Sequence, residues 1–172
     1  MISFIFQDYL TEENRIHNLV KILRVLFSIN KVGKVNMWIR ANYFFSNSKN
    51  RVIQLIGRYC YNHILKWYSS NISCDAVIGR NLQIPHPIGI VIGAGSVIGD
   101  NCTVFQGVTI GRRNESVSEY PVIGNDVIIY SNSSVLGDIN ISDGTVIGAH
   151  SLVLSSTERN SVYVGIPAQR KS

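Results

Sequence analysis

The four histidines are the side chains of this 172-residue chain best suited to moving a proton near neutral pH. Two of them, His17 and His63, fall in segments with helical periodicity, where we expect them to pack or to face solvent. His86 differs, because it stands between Pro85 and Pro87. An imidazole held in such a turn can act as a general base towards a hydroxyl group. The alternative is that His86 serves only the rigidity of the turn.

The other reactive side chains indicate no second site of chemistry. Cys60, Cys74 and Cys102 lack the spacing of a metal site, and we expect reduced thiols. Cys102 is expected to pack or to face solvent rather than to act as a nucleophile. His150 is the one other histidine after residue 70, so a zinc site with three histidine ligands is not expected, and no metal is predicted.

Composition changes near Asn71, which predicts two segments of different architecture. Residues 1–70 hold ten Lys or Arg and three Asp or Glu, whereas residues 71–172 hold six and eight. Two of the fourteen glycines, but twelve of the sixteen aromatic residues, lie before residue 71. We therefore predict an N-terminal α-helical segment over 1–70 and a separate domain over 71–172.

Apolar residues recur at helical spacing over residues 11–30 and 50–68, and a shorter helix is predicted over 35–45. Lys and Arg fall between the apolar positions, as on the solvated face of an amphipathic helix. This pattern favours helices that pack on the rest of the chain. Contact with an anionic membrane surface is the second interpretation, and nucleic-acid binding is disfavoured.

The start of the chain does not resemble a secretory signal peptide, because Asp8, Glu12 and Glu13 interrupt its apolar residues. A membrane span is not expected either, since the sequence lacks a run of 18 apolar residues. The predicted location is the cytoplasm, with the inner face of the membrane as the surface that basic, aromatic helices would meet.

A six-residue repeat dominates the chain after residue 71. Thirteen positions, which step by six within three runs, are all Ile or Val: Ile72, Ile78, Ile84, Ile92, Ile98, Val104, Ile110, Ile123, Ile129, Val135, Ile141, Ile147 and Val153. Helices do not repeat every six residues, so the hexad predicts a solenoid in which each unit supplies one short strand and one turn. The Ile or Val would point inward. The glycine that often follows is expected to relieve the backbone at the corner.

Two breaks interrupt this repeat. A two-residue slip separates Ile84 from Ile92, around His86. A 13-residue step from Ile110 to Ile123 adds an extruded loop at 112–121. Because irregular loops on rigid scaffolds commonly carry function, both breaks are candidate positions for a site.

The sequences at these breaks resemble a known family. The runs IPHPIGIVIG at 84–93 and VFQGVTIG at 104–111, with the ending VGIPA at 164–168, are similar to hexapeptide-repeat acyltransferases. The likeness is greatest to serine acetyltransferases and to capsule or exopolysaccharide O-acetyltransferases. It implies a mainly β fold, a left-handed parallel β-helix preceded by the α-helical segment. It also implies a homotrimer that binds acetyl-CoA between neighbouring subunits.

The resemblance also implies the catalytic groups. His86 matches the catalytic histidine of the family, and Asn71 aligns with an aspartate that orients this histidine in serine acetyltransferases. The amide oxygen of Asn71 can accept the same hydrogen bond, but it does not stabilise an imidazolium as a carboxylate does. Asp75 is the alternative partner.

For acetyl-CoA, the resemblance implies small residues beside the pantetheine arm, and Gly111, Ser131 and Ala149 align with them. The main cations of the β segment are the expected partners of the phosphate groups: Arg112, Arg113, Arg170 and Lys171. The alternatives are ordinary turn residues and solvated surface charges.

Two departures from serine acetyltransferases bear on the acceptor. Pro85 replaces the acidic residue before the catalytic histidine, and Glu119-Tyr120 replaces an Arg-His pair before Pro121. Because those charged groups help to hold the amino acid, their loss favours a neutral acceptor, on which the ring of Tyr120 would stack. The alternative is that Tyr120 is an exposed loop residue.

The sequence therefore predicts an acetyl-CoA-dependent O-acetyltransferase that modifies a sugar hydroxyl of a bacterial surface polysaccharide or its precursor. A serine O-acetyltransferase and an N-acetyltransferase for an amino sugar are the alternatives. A solenoid scaffold that binds no CoA is the alternative from another class. A carbohydrate acceptor and acetyl-CoA are the expected partners.

Overall fold

The computed structural model describes residues 32–114 and 119–171. Two helices come first, α1 (Val32–Ser46) and α2 (Arg51–Tyr68). Asn50 caps α2, because its side-chain oxygen accepts a hydrogen bond from the amide of Val52 at 2.8 Å. The helices predicted over 35–45 and 50–68 are confirmed, whereas the one predicted over 11–30 lies outside the described residues.

Fourteen short strands follow in the described part of the chain. They are β1 (Asn71–Ile72), β2 (Val77–Ile78), β3 (Val91–Ile92), β4 (Val97–Ile98), β5 (Thr103–Val104), β6 (Thr109–Gly111), β7 (Val122–Ile123), β8 (Ile128–Ile129), β9 (Ser134–Leu136), β10 (Asn140–Ile141), β11 (Val146–Ile147), β12 (Leu152–Val153), β13 (Val162–Gly165) and β14 (Ala168–Arg170). They form sheet A (β1-β3-β6-β9-β12), sheet B (β2-β4-β7-β10) and sheet C (β5-β8-β11-β13-β14).

Successive strands pass from sheet A to sheet B to sheet C and back again, so each passage is one coil of a parallel β-helix. The register stacks the repeat on itself: Ile72 pairs with Ile92, which pairs with Ile110 in the next coil. Twelve of the thirteen Ile and Val positions are buried and Ile78 is partly buried, which confirms the predicted solenoid. Stiff β-branched side chains in register fill the narrow interior.

A second inward column, two residues before each Ile or Val, was missed. It contains apolar residues such as Leu82, Ile90 and Val108, but also buried hydroxyl groups. The hydroxyl of Ser133, for example, donates to the carbonyl of Gly148 at 2.7 Å. Because a buried hydroxyl needs such a partner, backbone carbonyls at the corners allow small polar residues in the core.

The expected role of the glycines after the Ile and Val positions is wrong. Left-handed backbone at the corners belongs to other residues, including Asn101 (φ 59°) and Gly107 (φ 69°). Gly79, Gly99 and Gly124 instead permit close approach of the coils: a Cβ on Gly99 would lie 2.6 Å from the carbonyl oxygen of Gly124 in the next coil. Steric space between coils, rather than turn conformation, selects glycine there.

Helix α1 closes the first coil through individual polar side chains. The outer carbonyls of this coil have no further strand to pair with. Three side chains donate to them: Asn36 to Leu82 at 2.6 Å, Arg40 to Ile78 at 2.6 Å, and Asn42 to Ile72 at 3.4 Å. The helices therefore pack on the β-helix and satisfy its open edge on all three sides.

Candidate active site

His86 lies at the corner that leads from sheet C to sheet A in the first coil. This corner spans eight residues from Ile84 to Ile92, against six from Val104 to Ile110 in the following coil. The slip predicted from the sequence is thus an enlarged corner. It projects the His86 side chain into solvent, where the ring is exposed.

The end of α2 holds this corner in place. The amide of Gly89 donates to the carbonyl of Tyr68, the last residue of α2, at 3.3 Å. The hydroxyl of Ser70, which is buried, lies 3.0 Å from the carbonyl oxygen of Tyr68 and 3.4 Å from that of Pro87, and it accepts from the amide of Ile90 at 3.1 Å. The backbone that follows His86 is therefore fixed by hydrogen bonds.

The ring of His86 lines an open groove with a volume of 510 Å³. The other lining residues are Ile88, Gly89, Gln106, Gly107 and Asn132. Pockets that bind small molecules have volumes of about 300–1,000 Å³. Apart from His86, no described residue of the lining has an ionisable side chain. The groove therefore offers room for a second molecule beside the imidazole, in largely neutral surroundings.

Pro85 and the residues stacked below it make the neighbouring surface apolar. Pro85 is half-buried, and the ring of Phe105 lies 6.5 Å from the ring of His86, centroid to centroid. Phe105 in turn stacks on Tyr130 at 5.0 Å. Pro85 is therefore the first residue of a largely apolar column.

Asn71 has a partner other than His86. Its amide oxygen accepts a hydrogen bond from the hydroxyl of Tyr61 at 3.1 Å, and its side chain lines a separate groove beside Arg58. No residue of the two described ranges hydrogen-bonds to the ring of His86. The orienting role of Asn71 stays a prediction.

The corner of His86 continues through the next coils as a regular column. The amide of Gly107 donates to Ile88, that of Asn132 to Gln106 and that of His150 to Ser131, each at 2.9 Å. Ser131 and Ala149 therefore lie on the same corner as His86, two and three coils further along. The structure brings two of the three small residues expected beside pantetheine into line with the imidazole.

Gly111 lies at a different corner, where sheet A leads to sheet B. A Cβ on Gly111 would meet no atom within 4 Å, so the space in front of it is open. Arg112 and Arg113 follow directly and are exposed. The guanidinium of Arg112 lies 5.6 Å from the ring centroid of Tyr120. This pair of cations belongs to the loop rather than to the His86 corner.

Tyr120 anchors the return of the loop. A Cβ on Gly93 would lie 2.5 Å from its Cε1 atom, and a Cβ on Gly95 would lie 2.3 Å from its Cδ2 atom. The ring is half-buried against this glycine backbone, rather than fully exposed. Its contact with an acceptor stays a prediction. Loop residues 115–118 lie outside the described ranges.

Arg170 and Lys171 lie at the other end of the β-helix. Arg170, in β14, forms an exposed ion pair with Glu158 at 2.7 Å. The amide of Lys171 donates to the carbonyl of Val162 at 2.7 Å. Adjacent coils are spaced by about 4.7–4.9 Å, and these residues follow the fifth coil whereas His86 belongs to the first. They would meet only the far end of an extended ligand.

The cysteines are free thiols, and burial raises the pKa of Cys60 and of Cys102. Thiols with a raised pKa are poor nucleophiles near neutral pH.

Across residues 32–114 and 119–171, no group of His, Cys, Asp or Glu is arranged to hold a metal ion. Within the same ranges, no helix is long and apolar enough to cross a membrane. His86 is therefore the side chain on which the chemistry of the groove would depend.

Gln106 is a groove residue that sequence reasoning missed. It stands two positions after Val104, as His86 stands two positions after Ile84. Superposing the repeat units at their corners would have found it, because equivalent positions of successive hexads share one face of the solenoid.

Part of the chain is similar in sequence to serine acetyltransferases. The chain is 46% identical over 93 residues to the serine acetyltransferase of Staphylococcus aureus and 45% identical over 93 residues to that of Staphylococcus epidermidis. Each match covers 54% of this chain and 44% of the relative. The chain thus spans less than half the length of the curated relatives that it matches. No family model matches the chain.

Solved structures of serine acetyltransferases share the fold. One, in complex with CoA, has a TM-score of 0.75 and 26% identity, over 86% of this chain and 60% of that chain. Another, in complex with cysteine, has a TM-score of 0.76 and 29% identity, over 87% and 57%. The predicted left-handed β-helix with N-terminal helices is confirmed. The β-helix of this chain is similar to that of the solved serine acetyltransferases.

Proposed function

We propose that this chain is an acetyl-CoA-dependent O-acetyltransferase in which His86 is the general base. The proposal depends on one observation: the exposed ring of His86 faces an open groove that continues into a column of small residues. The fold and the likeness to serine acetyltransferases support the same reaction class.

In the proposed reaction, the acceptor hydroxyl lies beside His86 and the thioester of acetyl-CoA lies next to it in the groove. The neutral imidazole takes the hydroxyl proton while the oxygen attacks the thioester carbon. The carbon–sulfur bond then breaks, and the CoA thiolate leaves and receives the proton from the imidazolium. The acetyl group ends on the acceptor oxygen.

L-serine is the acceptor that the comparisons favour. The relatives that match this chain are serine acetyltransferases, and they support the serine alternative better than the sugar acceptor predicted from the sequence. The acceptor would then lie in a groove that has no acidic side chain among its described lining. We expect the serine ammonium group to find its partner in a neighbouring subunit or to be held weakly.

A sugar hydroxyl is the second candidate, and the apolar column that begins at Pro85 favours it. Glu119 and Tyr120 stand where serine acetyltransferases have an Arg-His pair, and no described lining residue of the groove carries a fixed charge. A neutral acceptor needs no ionic partners there. An amino sugar, acetylated on nitrogen, is a variant of this candidate.

The test is an assay of acceptor-dependent release of CoA thiol from acetyl-CoA. L-serine, N-acetylglucosamine, glucosamine and a short acidic polysaccharide fragment are compared at equal concentrations. Release stimulated by serine alone supports the first candidate, and release stimulated by a sugar alone supports the second. Mass spectrometry of the product distinguishes O- from N-acetylation. If no acceptor raises the thiol release above hydrolysis, the proposal is wrong.

A substitution set separates the two acceptors further. Pro85→Asp combined with Glu119→Arg and Tyr120→His introduces the charged pattern of serine acetyltransferases. If the natural acceptor is neutral, this variant should gain activity with serine and lose activity with the sugar. If serine is already the acceptor, its KM should change much less. The triple variant Pro85→Ala, Glu119→Gln, Tyr120→Phe is the neutral control.

We also propose a homotrimer with acetyl-CoA bound between subunits. Outward-facing valines of the sheets support it, since Val91 and Val122 are 39% and 43% exposed and apolar strand faces favour association. Sedimentation equilibrium should give three times the chain mass of 19.2 kDa. A monomer that retains full activity would contradict this proposal.

A cytoplasmic location beside the inner membrane face is a further part of the proposal. Helix α2 supports it by exposing apolar side chains next to basic ones, such as Leu55 and Trp67 near Arg58 and Lys66. Flotation with vesicles that contain anionic lipid should carry the protein upward, whereas neutral vesicles should not. Equal behaviour with both vesicles would contradict membrane proximity.

A further inference from the structure

Gln106 holds a buried polar atom that the described residues leave without a partner. Its side chain lines the groove of His86, one coil further along the same corner. The oxygen Oε1 is buried, and no residue within 32–114 or 119–171 donates a hydrogen bond to it. A buried carbonyl oxygen without a donor is costly, so such atoms usually meet a ligand or a water molecule.

The backbone amides of Gly107 and Gly89, on the same corner, already donate to carbonyl groups. The amide of Gly107 donates to Ile88 at 2.9 Å, and that of Gly89 donates to Tyr68 at 3.3 Å. The side-chain nitrogen of Asn132 lies 3.4 Å from Nε2 of His150. A molecule that enters the groove can supply the donor that the described residues do not provide.

We propose that Gln106 positions acetyl-CoA, by accepting a hydrogen bond from the pantetheine amide N–H nearest the thioester. This inference rests on the proposed acetyl transfer and deepens it. Gln106 is a substrate-positioning residue, while the proton transfer belongs to His86.

The order of residues along the corner selects this donor. His86 lies in the first coil, Gln106 in the second, Ser131 in the third and Ala149 in the fourth. A pantetheine arm that runs along Ser131 and Ala149 reaches His86 only by passing Gln106. Coils are spaced by about 4.7–4.9 Å, and the last amide nitrogen of the arm is separated from the sulfur by two carbons. With the thioester beside His86, this N–H therefore falls one coil away, next to Gln106.

The experiment compares two minimal acetyl donors that differ at one atom. S-acetyl-N-acetylcysteamine carries the amide N–H, and S-acetyl-2-mercaptoethyl acetate has an ester oxygen in its place. The wild type should prefer the amide donor by about tenfold in kcat/KM, as expected for one net hydrogen bond. Gln106→Leu should lose this preference. Gln106→Glu should keep it, even if the overall rate falls, because a carboxylate also accepts from N–H.

Acetyl-CoA itself gives a second readout. Gln106→Leu should raise KM for acetyl-CoA about tenfold and leave KM for the acceptor unchanged. Gln169→Leu, in the exposed strand β14, is the matched control and should change neither value. A purely structural role of Gln106 would instead lower the unfolding temperature and weaken both minimal donors equally, which would overturn the inference.

Failure of the inference is distinguishable from failure of the proposed function. If the wild type transfers acetyl groups and Gln106→Leu keeps the preference for the amide donor, the inference alone is wrong. If the wild type transfers to no acceptor, calorimetric titration of CoA decides it. Binding that Gln106→Leu weakens about tenfold would support the inference. Equal binding by both proteins, or binding by neither, would overturn it.

Discussion

The two irregular corners of the β-helix depart from the six-residue repeat in different ways. At the corner from sheet C to sheet A, the chain adds two residues and keeps the backbone ladder, since the amide of Gly107 still donates to Ile88 at 2.9 Å. At the corner from sheet A to sheet B, the loop at 112–121 leaves the ladder. It is joined back to the coils by the ring of Tyr120 and by the carbonyl of Pro121, which accepts from the amide of Val97 at 3.2 Å.

This difference indicates how each corner holds its functional groups. His86 stands on backbone that is hydrogen-bonded to the next coil, to the end of α2 and to the buried hydroxyl of Ser70. The loop with Arg112 relies on that one backbone hydrogen bond and on the contact of the Tyr120 ring with two glycines. We expect the first corner to be sensitive to loss of the functional side chain itself, and the second to changes in packing.

Removal of the imidazole should have the largest effect. His86→Ala should lower kcat/KM for acetyl transfer by about 10²–10⁴-fold, because no base remains to take the acceptor proton. Its unfolding temperature should stay close to that of the wild type, since the side chain is exposed and the corner is held by backbone. Steady-state kinetics and thermal unfolding monitored by circular dichroism measure the two.

His150→Asn is the matched control for this variant, because His150 is an exposed histidine on the same corner, three coils along, and asparagine tolerates its φ of 57°. It should keep most of the activity. Full activity of His86→Ala would remove the basis of the proposed mechanism.

Adding a methyl group to a glycine beneath the Tyr120 ring should disturb the second corner. A methyl group on Gly95 would lie 2.3 Å from Cδ2 of Tyr120, so Gly95→Ala should displace the ring and cost about 1–3 kcal/mol of unfolding free energy. Gly111→Ala adds the same methyl group in open space and should cost less than about 0.5 kcal/mol. Urea unfolding compares the two variants. A larger loss in Gly111→Ala than in Gly95→Ala would contradict the packing explanation.

A double-mutant cycle isolates the contact between the Tyr120 ring and Gly95. In a Tyr120→Ala background, Gly95→Ala should cost little, so the two substitutions should couple by about 1 kcal/mol or more. Tyr120→Phe should couple with Gly95→Ala as the wild type does, because the contact is made by ring carbons. Additive effects of Tyr120→Ala and Gly95→Ala would show that the ring does not rest on this glycine.

Substitutions at the third corner, from sheet B to sheet C, should have the smallest effect on the unfolding free energy, and only at acidic pH. The amide of Arg80 donates to Asp100 at 2.6 Å and, with the Arg80 guanidinium, lowers the pKa of that carboxyl. The unfolded carboxyl then takes up its proton first as the pH falls. The stability present above about pH 4 is therefore lost as the pH drops through the lowered pKa of the folded protein.

Asp100→Asn should remove this acid dependence while the amide oxygen keeps the hydrogen bond, as Asn125 does for the amide of Asp100 at 2.8 Å. The effect should be below about 1 kcal/mol, because the Asp100 side chain is 37% exposed. Arg80→Ala should retain part of the dependence, since the backbone amide is the larger cause. Urea unfolding at pH 7 and pH 3 measures both. An unchanged pH dependence in Asp100→Asn would contradict this assignment.

Much of the fold could be predicted because a β-branched aliphatic residue, Ile or Val, recurs at every sixth position of the repeat. Ile or Val at every sixth residue can only be buried together if the chain winds in coils, and the structure buries twelve of these thirteen side chains. The second inward column could not be read in the same way. Its members range from Ile90 to Ser133, and a hydroxyl is buried only where a carbonyl such as that of Gly148 accepts from it.

One residue of the candidate site, His86, could be predicted from the sequence. His86 was found because it breaks the repeat, and such a break is visible along the chain. The separation of Gly111 from Ser131 and Ala149 by one corner was not, since all three follow the repeat in similar ways. Nor was the contact of Asn71 with Tyr61, which joins the first strand to α2.

The sequence by itself determined the six-residue winding, the two places where it fails and the imidazole at one of them. These features follow from local order along the chain, where hydrophobic spacing and breaks in it are directly visible. Only the tertiary structure decided which side chains meet: Tyr120 with the glycines beneath it, α1 with the open edge of the first coil, and Gln106 with the groove of His86. Those contacts join residues distant in sequence, and they depend on which atoms the packed coils leave space and hydrogen-bonding capacity for.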